Sequence, residues 1–201
     1  NDIKILNLVK NMGIGYGRNL AIKETRNRYV AALDSDVVPD KKWLLNMYNS
    51  MVKNKSHLCG GLLIEKYLKN NRYNYWRTIH IMHRFKEKII PGVQSFITGS
   101  NMLLKKDAWI KVGGYDELFR TNGEDVHFCI KLRMNKFKIS YDTDAFCYHL
   151  QNDNLQSLLN RCWRYYISGT GLKKPTYKRM VLRSIKHFKY CLINFFKDLI
   201  N

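Results

Sequence analysis

Apolar and polar residues along this 201-residue chain change their period several times, and each change marks a predicted element. Ile3, Ile5, Leu6, Leu8 and Val9 give residues 3–9 strand character, after which Gly13, Gly15 and Gly17 turn the chain into a predicted helix over 18–25. The apolar run Tyr29-Val30-Ala31-Ala32-Leu33 predicts a strand, and Trp43, Leu44, Met47, Met51 and Val52 recur near helical spacing across 41–53, behind Pro39-Asp40. Residues 57–64 give another strand. Strand and helix thus alternate through the first third, the pattern of an α/β fold with a mostly parallel sheet and flanking helices.

The middle, residues 65–91, is rich in Tyr, Arg, Asn and His and keeps no clean period, so it is expected to form a variable excursion. Order resumes with a strand in 96–104, a helix over 106–112 stopped by Gly113-Gly114, and a helix over 124–135. Short strands near 137–141 and 145–149 and a helix over 155–168 complete this part. Beyond the basic Lys173-Lys174-Pro175 segment, Val181, Ile185, Phe188, Leu192, Phe195 and Leu199 fall at alternating spacings of four and three, one apolar helical stripe. The expected organisation is a unit over 1–172 and a basic amphipathic helix over 173–201.

Composition narrows the partners. Lys and Arg total 35 against 16 Asp and Glu, a net charge of +19, with 45% hydrophobic residues. Such a chain can bury a core and is not disordered, and its charge favours an anionic partner: a nucleotide diphosphate, a nucleic acid or an anionic membrane surface. The five cysteines are widely spaced with no C-x-x-C pair, which points away from a zinc ribbon or disulfide framework and toward a reducing cytoplasmic setting. No run approaches the ~20 apolar residues that span a bilayer. No secretory signal is read at Asn1, so membrane contact would be peripheral, at the inner face.

Against this positive background two acidic islands stand out, Asp34-Ser35-Asp36 and Glu124-Asp125. The first follows a predicted strand, and the C-terminal edges of strands are where open α/β sheets bind ligands. Carboxylates at i and i+2 in a turn can hold a hard cation that also takes phosphate oxygens from a substrate. The second opens a predicted helix, where acids suit the helix dipole; helix capping and a catalytic site both fit this position. Arg18 and Asn19 open a helix behind glycines, where backbone N–H groups and a guanidinium can meet phosphate.

Asn11-Met12-Gly13, Gly15-Tyr16-Gly17-Arg18-Asn19 and Asp34-Ser35-Asp36 resemble, in order and spacing, the donor half of family 2 glycosyltransferases with the GT-A fold. Thr98-Gly99-Ser100, Gly113-Gly114-Tyr115-Asp116-Glu117 and Gly123-Glu124-Asp125 through Arg133 resemble the acceptor half. The resemblance implies a GT-A-like (Rossmann-like) fold and metal-dependent transfer of a sugar from a nucleotide-sugar donor to a saccharide or lipid-linked acceptor, with inversion. It implies that Arg18, Asn19, Asp34, Ser35 and Asp36 bind the donor and that Gly99, Ser100 and Tyr115 face the acceptor. Asp125 would be the general base, supported by Glu124, and Asp36, Asp34 and His149 would hold Mg²⁺ or Mn²⁺. His149, closing an apolar strand, reads equally as a ligand or as a satisfied core histidine. Family members open with a further nucleotide-binding strand and loop, so the chain is expected to be N-terminally truncated.

Two other readings remain. The charge also suits a non-enzymatic module binding nucleic acid or an anionic polymer, but no nucleic-acid motif appears and the acidic islands would repel a phosphate backbone, so no nucleic-acid partner is expected. An inactive transferase fragment is the third. In the tail, Lys178, Arg179, Arg183, Lys186 and Lys189 flank the stripe, which suits either an anionic membrane surface or packing on the preceding unit.

Overall fold

A five-stranded sheet organises the chain around a central strand buried along nearly all of its length. The computed structural model describes residues 3–82, 96–168 and 177–200. Its elements follow in the order α1 (Ile14–Glu24), β1 (Tyr29–Leu33), β2 (Val37–Pro39), α2 (Trp43–Asn54), β3 (Leu58–Glu65) and α3 (Arg72–Arg77), which a π-helical turn (Thr78–Met82) continues. Then come β4 (Asn101–Lys105), α4 (Lys106–Lys111), α5 (Glu124–Met134), β5 (Ile139–His149), α6 (Leu155–Ser168) and α7 (Tyr177–Ile200).

The strand order is β1-β4-β3-β5-β2. The α/β class stands, but the sheet is mixed: β3 pairs parallel with β5, while β1–β4, β3–β4 and β2–β5 are antiparallel. β1 and β3, linked through α2, do run the same way, as the strand–helix alternation implies. β4 inserts between them in the opposite sense, and local periodicity carries no information about that insertion.

Alternate strand residues face opposite sides of the sheet. Met102 and Leu104 of β4 join Ile22 of α1, Ala108 of α4 and Phe128 and Leu132 of α5 in one core cluster. Leu103 turns the other way, to Trp43, Met47 and Met51 of α2 with Ala145 and Cys147 of β5. Each fully buried side chain of this size contributes about 1.5–3 kcal/mol. Helices on both faces therefore hold the strand ends, where the acidic residues sit, on a rigid frame.

Three expectations change. Residues 3–9 form no strand; Ile3 and Ile5 are 87% and 75% exposed, and no described strand pairs with them. The two short strands expected after α5 are one 11-residue strand, β5, whose irregularity is absorbed as a register shift against β3 between Gly61 and Leu63. The excursion contains α3, capped by the Asn71 side chain on the N–H groups of Tyr73 and Asn74. Its remainder over 83–91 lies outside the described residues, as does the 172/173 boundary. In α7 the apolar stripe stays exposed, with Phe188 at 65% and Leu199 at 66%, and no helix among the described residues is long and apolar enough to cross a membrane.

Candidate active site

The end of β1 delivers the first acidic island. Leu33 pairs with Asn101 at the start of β4, the Asp34 N–H donates to the Ser100 carbonyl at 3.3 Å, and the Val37 N–H donates to the Asp34 carbonyl at 3.2 Å. The Asp34 and Asp36 side chains are each 42% exposed on this tight turn, with Ser35 exposed between them.

The second island arrives with α5 and meets the first at Arg18. Its Nη2 donates to Asp34 Oδ1 at 3.1 Å, while Nη1 donates to Glu124 Oε1. One guanidinium thus bridges the two islands, with its carbon 5.8 Å from the centre of the Tyr115 ring. Asp125 sits beside it: the Gly99 N–H donates to Asp125 Oδ2 at 3.2 Å. Glu124 is buried, and its Oε2 has no hydrogen-bond partner among the described residues. Burial first, then repulsion from Asp125, pushes its carboxyl up to about 7 against the pull of Arg18. Arg18 and Glu124 form a neutralising pair, whereas Asp36 and Asp125 have no arginine partner among the described residues.

Gly99 makes this joint possible. A Cβ there would lie 2.0 Å from Arg18 Nη1. The obstructed group ends a flexible side chain, so Gly99→Ala is expected to swing the guanidinium away and leave Glu124 without its cation. The expected cost is about 1–3 kcal/mol in urea unfolding at neutral pH. In an Arg18→Ala background the same substitution is expected to add almost nothing, and a full additive loss there would refute this account.

At the far side of the turn Asp36 meets His149. The Leu150 N–H donates to the Asp36 carbonyl at 2.8 Å, and His149 Nε2 lies 3.4 Å from Asp36 Oδ2. The ring's Nδ1 is 2.8 Å from Glu65 Oε1 at the end of β3. A carboxylate only accepts, so Nδ1 carries the proton and donates. His149 is therefore neither a plain core histidine nor free, because a buried carboxylate orients it toward an exposed one. Asp36 and His149 offer an oxygen and a nitrogen donor with an anchored ring, a partial set whose carboxylate suits Mg²⁺ or Mn²⁺. The expected third ligand does not assemble: Asp34 turns to Arg18, and no group of three candidate ligands occurs among the described residues.

Two more assignments are corrected. Tyr115 is 2% exposed, packed on Phe128 with its hydroxyl toward Met102 Sδ, so it backs the site under Arg18 and does not face an acceptor. Asn19 is spent on that same loop: its Oδ1 accepts from the Tyr115 N–H at 2.8 Å and from Trp109, and its Nδ2 donates to the Tyr115 carbonyl and to Glu117. Its side chain holds the loop. Gly99 and Ser100 do lie at the junction, buried and half-buried.

Sequence reasoning missed Glu65, Arg77 and Asp153. Glu65 had a readable signal, since an acid closes the apolar β3 just as Asp34 follows β1. Arg77 and Asp153 had none, because their partners lie 76 residues apart and sit in the segments without period.

The family model described as "Glycosyl transferase family 2" matches residues 1–113, which carry the Asp34–Asp36 turn but stop short of α5. The pre-mycofactocin glycosyltransferase of Mycobacterium tuberculosis is 23% identical over 164 residues, 80% of this chain and 35% of that protein. The poly-beta-1,6-N-acetyl-D-glucosamine synthase of Staphylococcus aureus is 26% identical over 183 residues, 84% of this chain and 42% of that protein. Among solved structures, the mannosyltransferase PcManGT from Pyrobaculum calidifontis, in complex with GDP-Man and Mn²⁺, superposes with a TM-score of 0.56 at 11% identity, covering 89% of this chain and 45% of that one. The chain spans under half the length of these relatives, and its likeness to PcManGT is one of fold. With more than half of its residues matched by the family model, and its two acidic islands meeting at one end of the sheet, the chain belongs to glycosyl transferase family 2.

Proposed function

We propose that the chain transfers a sugar from a nucleotide-diphosphate-sugar donor to a hydroxyl of a saccharide or lipid-linked acceptor, with inversion, using Mg²⁺ or Mn²⁺. The observation that carries this reading is the single guanidinium of Arg18 joining Asp34 to Glu124, which brings an acidic turn and an acidic helix start together at one end of the sheet. The complex of PcManGT with GDP-Man and Mn²⁺ supports the donor class and the cation.

Asp36 and His149 would hold the cation, which when bound neutralises the donor diphosphate and eases its departure. Arg18 and the Asp34–Ser35 turn orient the donor from the opposite side. Asp125, fixed by the Gly99 N–H, takes the acceptor proton as the acceptor oxygen bonds to the anomeric carbon and the bond to the diphosphate breaks. Glu124 is occupied by Arg18, so Asp125 acts as a lone base, and a lone base supports direct displacement.

The test is release of nucleoside diphosphate from a panel of UDP- and GDP-sugars, with and without Mn²⁺. Chelation is expected to abolish release, and Asp36→Ala to raise the Mn²⁺ requirement at least about tenfold. An unchanged Mn²⁺ requirement in Asp36→Ala would remove this residue from the cation site.

We further infer that residues 1–172 act as the catalytic unit and that α7 rests on an anionic lipid surface. Phe188, Phe195 and Leu199 are exposed along one stripe, and Lys186 and Lys189 are exposed beside it. Apolar burial and attraction to anionic headgroups then act together. Co-sedimentation with phosphatidylglycerol vesicles is expected to exceed that with phosphatidylcholine, to weaken with salt, and to be lost in Phe188→Asp. Equal binding to both vesicles would count against an anionic surface.

A further inference from the structure

Among the described residues Arg77 is the largest side chain with no exposed surface, and it stands in the segment that shows no sequence period. Its Nη1 donates to Asp153 Oδ2 at 2.6 Å, and its Nη2 donates to Glu65 Oε2 and, at 3.3 Å, to the Gln151 carbonyl. The Asp153 side chain is as buried as that of Arg77, and that of Glu65 is only 2% exposed. Apolar residues could fill such a space at little cost or with a gain in stability, so a fully buried ionic cluster calls for a reason other than packing.

The reason lies one bond further on. Glu65 spends one oxygen on Arg77 and the other on His149 Nδ1, and His149 Nε2 is turned toward Asp36. A guanidinium is a rigid planar fork, so a carboxylate held by it cannot rotate away from its second partner. The same loop is fastened from α3 by Asn74, whose Oδ1 accepts from the Asp153 N–H at 2.7 Å and whose Nδ2 donates to Asn152 Oδ1 at 2.7 Å. Glu65, His149 and the loop behind them therefore share one support.

We propose that Arg77 is a positioning residue which, through Glu65, fixes both the orientation of the His149 ring and its tautomer, with the proton on Nδ1 and Nε2 turned to Asp36. The benefit of this arrangement rests on the cation-and-donor reading above, but the relay itself is a statement about the protein alone. It makes a short helix outside the sheet an adjuster of the cation site.

The test reads the His149 ring by long-range ¹H–¹⁵N correlation in protein freed of divalent cations, at mildly alkaline pH, with His149→Asn assigning the signals. The wild type is expected to carry its ring proton on Nδ1. Glu65→Gln keeps the shape, but with its carbonyl oxygen held by Arg77 it turns an amide N–H toward Nδ1. The proton is then expected on Nε2, and Mn²⁺ affinity, read by water-proton relaxation, is expected to fall about 10–100-fold. Arg77→Lys keeps the charge but cannot serve both carboxylates, so mixed tautomers and at least about a tenfold loss of Mn²⁺ affinity are expected. A wild-type ring protonated on Nε2 overturns the proposal, as does Arg77→Lys with wild-type tautomer and affinity, the result a merely structural arginine would give. If Arg77→Lys does not fold, the wild type decides: its buried Arg77 guanidinium signals are expected to move in His149→Asn, and unmoved signals overturn the relay. A wild type that keeps the Nδ1 tautomer yet binds no Mn²⁺ defeats the donor-and-cation reading and leaves the relay standing.

Discussion

Asp125→Asn is expected to lower kcat about 10²–10⁴-fold while leaving the KM for the nucleotide sugar nearly unchanged. The substitution removes the basic oxygen and little else. Asp125 now accepts from the Gly99 N–H through one oxygen and from the Val126 N–H through the other, and Asn can keep one of these bonds. The expected stability loss is therefore only about 1 kcal/mol, which urea unfolding separates from the kinetic effect. The variant also relieves repulsion on Glu124, so the Glu124 carboxyl, pushed up to about 7 by burial and by Asp125, is expected to move down toward its ordinary value. Unchanged kcat would remove the base assignment and leave Asp125 as a helix-start residue that braces Gly99.

The difference between what local pattern could and could not reveal follows from sequence distance. α2 and β3 were legible because each buries one face or both and burial imposes a pattern, whereas β1 was legible as a short apolar run and α5 by its acidic first turn and basic last turn. The acidic islands were legible because carboxylates are rare on this chain. Their junction was legible only in outline: Arg18 was expected near phosphate, but its actual partners, Asp34 and Glu124, lie 16 and 106 residues away. Tyr115 and Asn19 were misassigned for the same reason, since a glycine-rich loop looks alike whether its side chains point into a cleft or into the core. Residues 3–9 failed in the opposite direction, with strand composition but no strand beside them among the described residues. The excursion was opaque because α3 is held by Asn71, Asn74 and Arg77, polar contacts that leave no hydrophobic period.

Arg77→Met carries the largest expected stability effect, a loss of about 3–5 kcal/mol, because it removes the cation that Glu65 and Asp153 share and leaves Asp153 with only the longer cationic contact, to Arg161 at 3.5 Å. The pH dependence gives the loss a signature. Burial by itself would raise the Asp153 carboxyl, but the Ser157 hydroxyl, Arg77 and Arg161 outweigh it and hold the group below its ordinary range. In the wild type Asp153 therefore adds stability above its unfolded value, about 3.9, and that stability is lost as pH falls through the lower folded value. Without Arg77 the burial effect gains ground and the folded value moves up, so Asp153 costs stability once pH rises through it. The gap between wild type and variant should thus be widest at neutral pH and narrow toward about pH 4, which urea midpoints at the two pH values would read. A constant gap would mean that Arg77 contributes packing alone. Replacing the whole cluster, with Glu65→Leu and Asp153→Leu added to Arg77→Met, is expected to recover much of the lost stability, since apolar side chains can occupy such a site without penalty. It should not recover Mn²⁺ affinity, because the His149 ring would then have no carboxylate behind it. Stability regained without cation binding is the outcome that assigns the cluster to the orientation of His149.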